Sequence, residues 1–372
     1  MDLPFVLIGD NATPVFGHSP AERAARLARK AGLSPIAVIP AHGAFMVAGS
    51  GYAWDPTWLH YVAARPGLVL TLGGVPALAH LVADTPGTQA VLDAIKAGRP
   101  LAAMTGAVDV QAVEAIGEIE NHALRKREKP YFLPLSRATR QQVEKASYDG
   151  AYKGVTDVLT LYLWRGLAFH LTRWAAAVKM TPNMVTSIGA VLCVIATLLF
   201  LKGEYWWGIA AGFGFMVLDT VDGKLARCTG TSSAWGNIFD HGLDLVHPPF
   251  WWWAWGVGLA AYGTPLPSGW MWNALWVIFI GYVVQRLIEG AFMRLYDMHI
   301  HVWEKFDSRF RLITARRNPN MILLIGALLF GRPDIGLLLV ALWTALSCLV
   351  HLVRLLQAML VSGRRPIRSW LK

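Results

Sequence analysis

Residues 184–201 form an apolar run without a single charged side chain, long enough with Pro182 and Asn183 to cross a hydrocarbon layer of about 30 Å. Such a run commits the chain to a bilayer, where every backbone polar group must be satisfied inside a helix or a closed barrel. Further apolar stretches follow at 204–218, 234–262 (with Trp251, Trp252 and Trp253 in succession), 270–292, 320–330 and 333–360. They predict about six spans. Thr181-Pro182-Asn183 opens the first, with proline where its missing N–H is harmless. Gly208 and Gly212 form a G-x-x-x-G pair suited to close helix contact. Composition agrees: 55% of the 372 residues are hydrophobic, 17 are Trp and only 16% are charged, which excludes an ordinary soluble enzyme.

Inside this apolar half, residues 218–245 hold Asp219, Asp222, Asp240 and Asp244. An ionisable residue at membrane depth costs about 2.5–3.5 kcal/mol on insertion scales, so the cluster marks function. Asp219 and Asp222 are three apart and Asp240 and Asp244 four apart, which puts each pair on one helix face. Like charges this close repel unless a cation holds them. Oxygen ligands at such density suit hard divalent ions, and two pairs point to two Mg²⁺ or Mn²⁺. A plain salt-bridge network fails on charge, because Arg227 and Lys224 cannot neutralise four carboxylates. Gly223, Ala226 and Gly236 lack bulk beside the acids, so a ligand can approach closely, and Arg227 suits a phosphate.

Written as D-x2-D-G-x2-A-R-x8-G-x3-D-x3-D, the segment resembles the signature of the CDP-alcohol phosphotransferases at all eight positions. The resemblance implies an integral membrane all-α bundle and transfer of a substituted phosphate from a CDP-linked donor to an alcohol acceptor, with release of CMP. It assigns Asp219, Asp222 and Asp240 to metal binding, Asp244 to metal binding and removal of the acceptor's proton, and Arg227 to the donor phosphates. By the same analogy Asn183 and Thr186 lie near the nucleotide, although helix capping accounts for them equally well. Two copies pair through their spans in many family members, so a homodimer is among the arrangements implied. The donor is either CDP-diacylglycerol with a polyol or polyol phosphate acceptor, or a CDP-linked small alcohol with a lipid alcohol.

For the acceptor, Arg286, Arg316 and Arg317 are candidates to hold an anionic polyol phosphate; an Arg286–Glu289 ion pair and a lipid-facing basic cluster are the competing readings. His247 before Pro248-Pro249 is expected to be a hydrogen-bonded core histidine at a kink. His299 and His301 have no sequence partner at a zinc-like spacing. A transporter would spread its acids through the bilayer, and a non-catalytic scaffold would not need all eight signature residues.

The net charge of +10 is uneven: residues 1–150 hold 14 Lys/Arg against 13 Asp/Glu, leaving 20 against 11 for the rest. The basic excess lies with the membrane half and suits anionic lipid headgroups; no basic-aromatic module for nucleic acid is visible. Arg165, Arg173 and Lys179, the 294–317 loop and the C-terminal tail carry the basic residues, and the positive-inside rule puts them, the acidic cluster and residues 1–130 on the cytoplasmic side of the inner or cytoplasmic membrane. Cys193, Cys228 and Cys348 form no metal or redox pair. The start, MDLPFVLIGDNATP, has no basic region before its short apolar run and does not read as a secretory signal.

Residues 1–130 predict a soluble α/β domain: a strand at 5–9, a helix at 21–31 and a strand at 36–39, followed by a strand at 68–72, a turn at Gly73-Gly74, and helices at 77–83, 89–97 and 110–126, with a parallel sheet. This resembles the nucleotidyltransferase domains that some family members carry at their N-terminus. It departs from them in lacking a Gly-rich loop with its arginine and a following Pro-Lys, and in placing Gly73-Gly74 where an acidic metal ligand is expected. A degenerate domain that regulates, dimerises or packs is therefore expected, with Asp10, His18 and His42 as loop and capping residues. Residues 131–180 read as a polar linker and an interfacial helix anchored by Trp164 and Trp174, and residues 181–372 as the membrane domain.

Overall fold

The computed structural model describes residues 3–101 and 108–371, and the chain divides into two compact units. The first comprises residues 1–152, 173–180 and 224–231; the second comprises 153–172, 181–223 and 232–372.

The first unit is an α/β/α layer structure. Its elements are β1 (Leu3–Ile8), α1 (Pro20–Lys30), β2 (Leu33–Pro35), β3 (Ala44–Gly49), β4 (Tyr52–Trp54), α2 (Thr57–Ala63), β5 (Leu68–Leu72), β6 (Val75–Val82), α3 (Thr88–Ala97) and β7 (Asp109–Ala112). Then come β8 (Ile119–Asn121), β9 (Lys126–Glu128), β10 (Phe132–Pro134) and α4 (Arg140–Gly150). The main sheet runs β2-β1-β3-β6-β5-β7. β1 is parallel to β2 and β3, and β5 to β7, but β6 is antiparallel to both its neighbours, so the sheet is mixed and not parallel throughout. Met46, Ala48, Leu70 and Leu78 face α1 and α2 through Leu27, Trp58 and Leu59, while Phe45, Val47, Val69 and Leu81 face α3 through Val91 and Ile95. Ser19 starts α1 with a capping box to Glu22.

Several sequence expectations change here. Residues 77–82 belong to strand β6, because Gly73 and Gly74 take positive φ (57° and 80°) and close a β5–β6 hairpin. Residues 110–126 hold β7, a 3₁₀ turn and part of a small hairpin instead of a helix. The second strand ends at Pro35, and β3, which was not anticipated, takes the central place beside β1.

The second unit is helical. It contains α6 (Pro182–Leu201), α8 (Ala234–Tyr262), α9 (Ser268–Tyr296), α10 (Lys305–Phe310), α11 (Arg317–Leu329) and α12 (Pro333–Ser362); α5 (Arg165–Ala177) and α7 (Tyr205–Cys228) each have a part in it. Among the described residues three helices, α6, α9 and α12, are long and apolar enough to cross a membrane. α7 and α8 are long but carry the acids, and α11 has only 13 residues. The glycine pair on α7 admits rings and a neighbouring helix: a Cβ on Gly208 would meet the Phe200 ring at 2.5 Å and the Ala196 carbonyl oxygen of α6 at 3.4 Å, and one on Gly212 would meet Trp251 at 3.0 Å. Tyr205 stacks on Trp255 at 4.1 Å and donates its hydroxyl to the Trp255 carbonyl, while Trp251 and Trp255 donate to the carbonyls of Cys193 and Pro333. Trp164 is fully buried, donating to Thr220 at 3.0 Å, so it is a core residue and not an interfacial anchor; Trp174 is exposed.

In the first unit Glu144 on α4 is 1% exposed and accepts from the Phe16 amide, Arg140 and Arg173. Glu144→Ala removes the acceptor shared by all three. It is expected to cost about 3 kcal/mol, as when one partner of a buried ion pair is deleted, and to lower the first thermal transition of the detergent-solubilised chain.

Candidate active site

α7 presents Asp219 and Asp222, and α8 presents Asp240 and Asp244 one turn apart. Asp219, Asp240 and Asp244 each place an oxygen within 4.8 Å of the others. Three hard oxygen donors so close together fit a divalent cation. Asp222 turns elsewhere: it is buried, accepts from the Thr186 hydroxyl at 2.5 Å and from the Gly223 amide at 2.5 Å. Thr186 on the first turns of α6 is thus joined to the acidic helix, which sequence spacing alone left open.

Asn183 lies in the first turn of α6, whose cap is the Thr181 side chain accepting from the Met184 amide. A Cβ on Gly236 would stand 2.7 Å from the Asn183 Oδ1 and 3.0 Å from the Ser233 hydroxyl that caps α8, so glycine there keeps Asn183 beside the start of α8. Ala226 and Arg227 lie at the end of α7, in the first unit, where Arg227 donates through Nε to the Ala151 carbonyl at 3.0 Å.

Arg317, at the first position of α11, stands closer to the acids than its sequence role suggested. Its guanidinium donates to Asp219 Oδ2 at 2.7 Å and Asp244 Oδ1 at 2.8 Å, its Nε donates to Asn318 Oδ1 at 2.9 Å, and it lies 4.8 Å from the centre of the Phe215 ring. Arg316 points the other way, donating to Glu289 at 2.5 Å and lying 3.3 Å from His301 Nε2. Arg286 pairs with the same Glu289 at 3.1 Å, so the expected Arg286–Glu289 pair is present. His351 on α12 completes this second group, with one ligand atom each from Glu289, His301 and His351 within 4.8 Å.

Sequence reasoning missed His351 and Arg311, which lie far from Glu289 along the chain and follow no helical period with it. Burial holds the His301 imidazole well below its ordinary range, against the raising effect of Glu289. Burial, and then the charge of Arg316, likewise push the Arg311 guanidinium down. The buried Nε atoms of Arg286 and Arg316, Nη1 of Arg311 and both ring nitrogens of His351 have no hydrogen-bond partner among the described residues. Elsewhere, His247 behaves as expected, its Nδ1 lying 2.6 Å from the Leu243 carbonyl with its ring against Phe215 and Trp251.

Apolar helices of membrane length packed around facing carboxylates define an integral membrane protein with an acidic polar centre. Residues 179–350 match the family model of CDP-alcohol phosphatidyltransferases. Among curated relatives, cholinephosphotransferase 1 of Danio rerio is 29% identical over 191 residues, 48% of this chain and 44% of the relative. An uncharacterized class-I CDP-alcohol phosphatidyltransferase family protein of Schizosaccharomyces pombe is 38% identical over 107 residues, 25% of this chain and 28% of its own. The chain thus spans less than half the length of these curated relatives. The Mycobacterium tuberculosis phosphatidylinositol phosphate synthase, in a crystal structure with manganese and citrate, aligns over 51% of this chain and 88% of its own at 18% identity and a TM-score of 0.39, a similarity too low to bear on the fold.

Glu289 is the one carboxylate among Arg286, Arg316 and His301. Glu289→Gln leaves two partly buried arginines without it and is expected to cost about 1–3 kcal/mol, read as a lower melting temperature in detergent, while Glu289→Asp loses less.

Proposed function

We propose that this chain is a membrane CDP-alcohol phosphotransferase, which moves a substituted phosphate from a CDP-linked donor to an alcohol and releases CMP, in phospholipid or polyol-phosphate biosynthesis. The observation that carries the reading is the convergence of Asp219, Asp240 and Asp244 from two helices, in a segment whose eight signature positions are intact. In this reading all four aspartates hold two divalent cations, Mg²⁺ or Mn²⁺, with Asp222 fixed by Thr186. Cations held by these residues would supply positive charge against the donor diphosphate.

The protein supplies the rest. Asp244 has the most exposed side chain of the three clustered acids, 46% against 17% for Asp219 and 29% for Asp240, and so is the one an acceptor hydroxyl can reach to lose its proton. Gly223, Ala226 and Gly236 leave room for the CDP moiety beside Asn183 and Thr186, and Arg227 binds donor phosphate. Arg286, Arg316 and Arg317 serve the acceptor. The unpaired Nε atoms of Arg286 and Arg316 support an acceptor carrying negative charge, whereas the name of the cholinephosphotransferase relatives favours a CDP-linked small alcohol with a lipid alcohol. The bundle consists of six membrane helices, α6 to α9 with α11 and α12, set in lipid with the acids and residues 1–130 facing the cytoplasm, and two copies pair through their helices.

The test is CMP release by the purified full chain with Mg²⁺, offering CDP-choline with diacylglycerol and, separately, CDP-diacylglycerol with a polyol phosphate. One pair is expected to yield CMP, EDTA to abolish it, and Asp244→Asn to lower the rate by about 10²–10⁴, the usual contribution of a general base. A folded protein that releases no CMP from either pair rejects the reading, and an unimpaired variant removes Asp244 from its role.

A further inference from the structure

Each of the two three-ligand groups in the helical unit has an arginine of the same dipeptide in it: Arg316 reaches Glu289 and His301, and Arg317 reaches Asp219 and Asp244. The two arginines are held differently. Arg316 is tied to a partly buried carboxylate that Arg286 and His301 share, and the residue after Arg317, Asn318, donates to Asp157 at 3.0 Å. The start of α11 is therefore pinned on both sides of Arg317. The Arg317 side chain itself engages oxygens that the proposed cation ligands also need.

The small cavity beside it, lined by Tyr282, Arg316, Arg317 and Asn320 against Pro248 and Trp252, has room for about one water molecule and not for a guanidinium.

We propose that Arg317 is an exchangeable internal counter-cation: it holds Asp219 and Asp244 together until a divalent ion takes their oxygens, which releases its guanidinium. This inference rests on the metal-binding reading given above and adds a competitor that sets how tightly the site loads. Arginine suits the task because its planar fork bridges two carboxylates, which a lysine ammonium does not reproduce.

The experiment is Mn²⁺ binding to the full chain in nanodiscs without substrate, followed by electron paramagnetic resonance. Arg317→Gln frees both carboxylates and removes a positive charge, so it is expected to tighten Mn²⁺ binding about tenfold, with Arg317→Lys in between. In the wild type, Mn²⁺ is expected to raise modification of Arg317 by phenylglyoxal, read by mass spectrometry. Wild-type binding with unchanged or weaker affinity in Arg317→Gln overturns the counter-cation and leaves the metal site standing. Arg317 labelling that ignores Mn²⁺ overturns the exchange. No Mn²⁺ bound by any form removes this inference and the metal reading together.

Discussion

Carboxylates gathered in an apolar helical unit repel one another and lack water to screen them, and the arrangement of the second unit answers that repulsion. Asp222 is tied to the hydroxyl of Thr186. Asp219 and Asp244 share the guanidinium of Arg317. Glu289, in a separate group, takes Arg316. Two successive residues at the start of α11 therefore serve two separate acidic groups, and α11 is positioned by charge as much as by its apolar face.

Around this polar centre the packing is aromatic. Phe200, Tyr205, Trp251 and Trp255 form one cluster in which each indole N–H finds a backbone carbonyl. Glycines on α7 make room for the rings. In a membrane, where apolar contact with lipid competes equally with contact between helices, close packing and satisfied donors of this kind hold a bundle together.

The acidic signature was legible in sequence because helical spacing and charge in an apolar stretch carry it without tertiary information. Residues 75–82 were not: VPALAHLV is a buried run whose periodicity does not separate strand from helix, and the hairpin that decides it depends on two glycines with positive φ. Trp164 reads from sequence as an interfacial tryptophan, and only its bond to Thr220 shows it to be core. The group of Glu289, Arg311 and His351 follows no period at all, since the chain brings it together across two helices and a loop. The Arg317 contacts were hidden for the same reason, although the arginine itself was conspicuous.

The shortness of α11 has a consequence for the charges at its start. Thirteen residues rise about 20 Å, against roughly 30 Å of hydrocarbon. The charges at its polar start, Arg316 and Arg317, need no lipid headgroup, because Glu289, Asp219 and Asp244 pair with them within the helical unit. A helix too short to cross alone can therefore begin inside the protein without leaving an unpaired charge there.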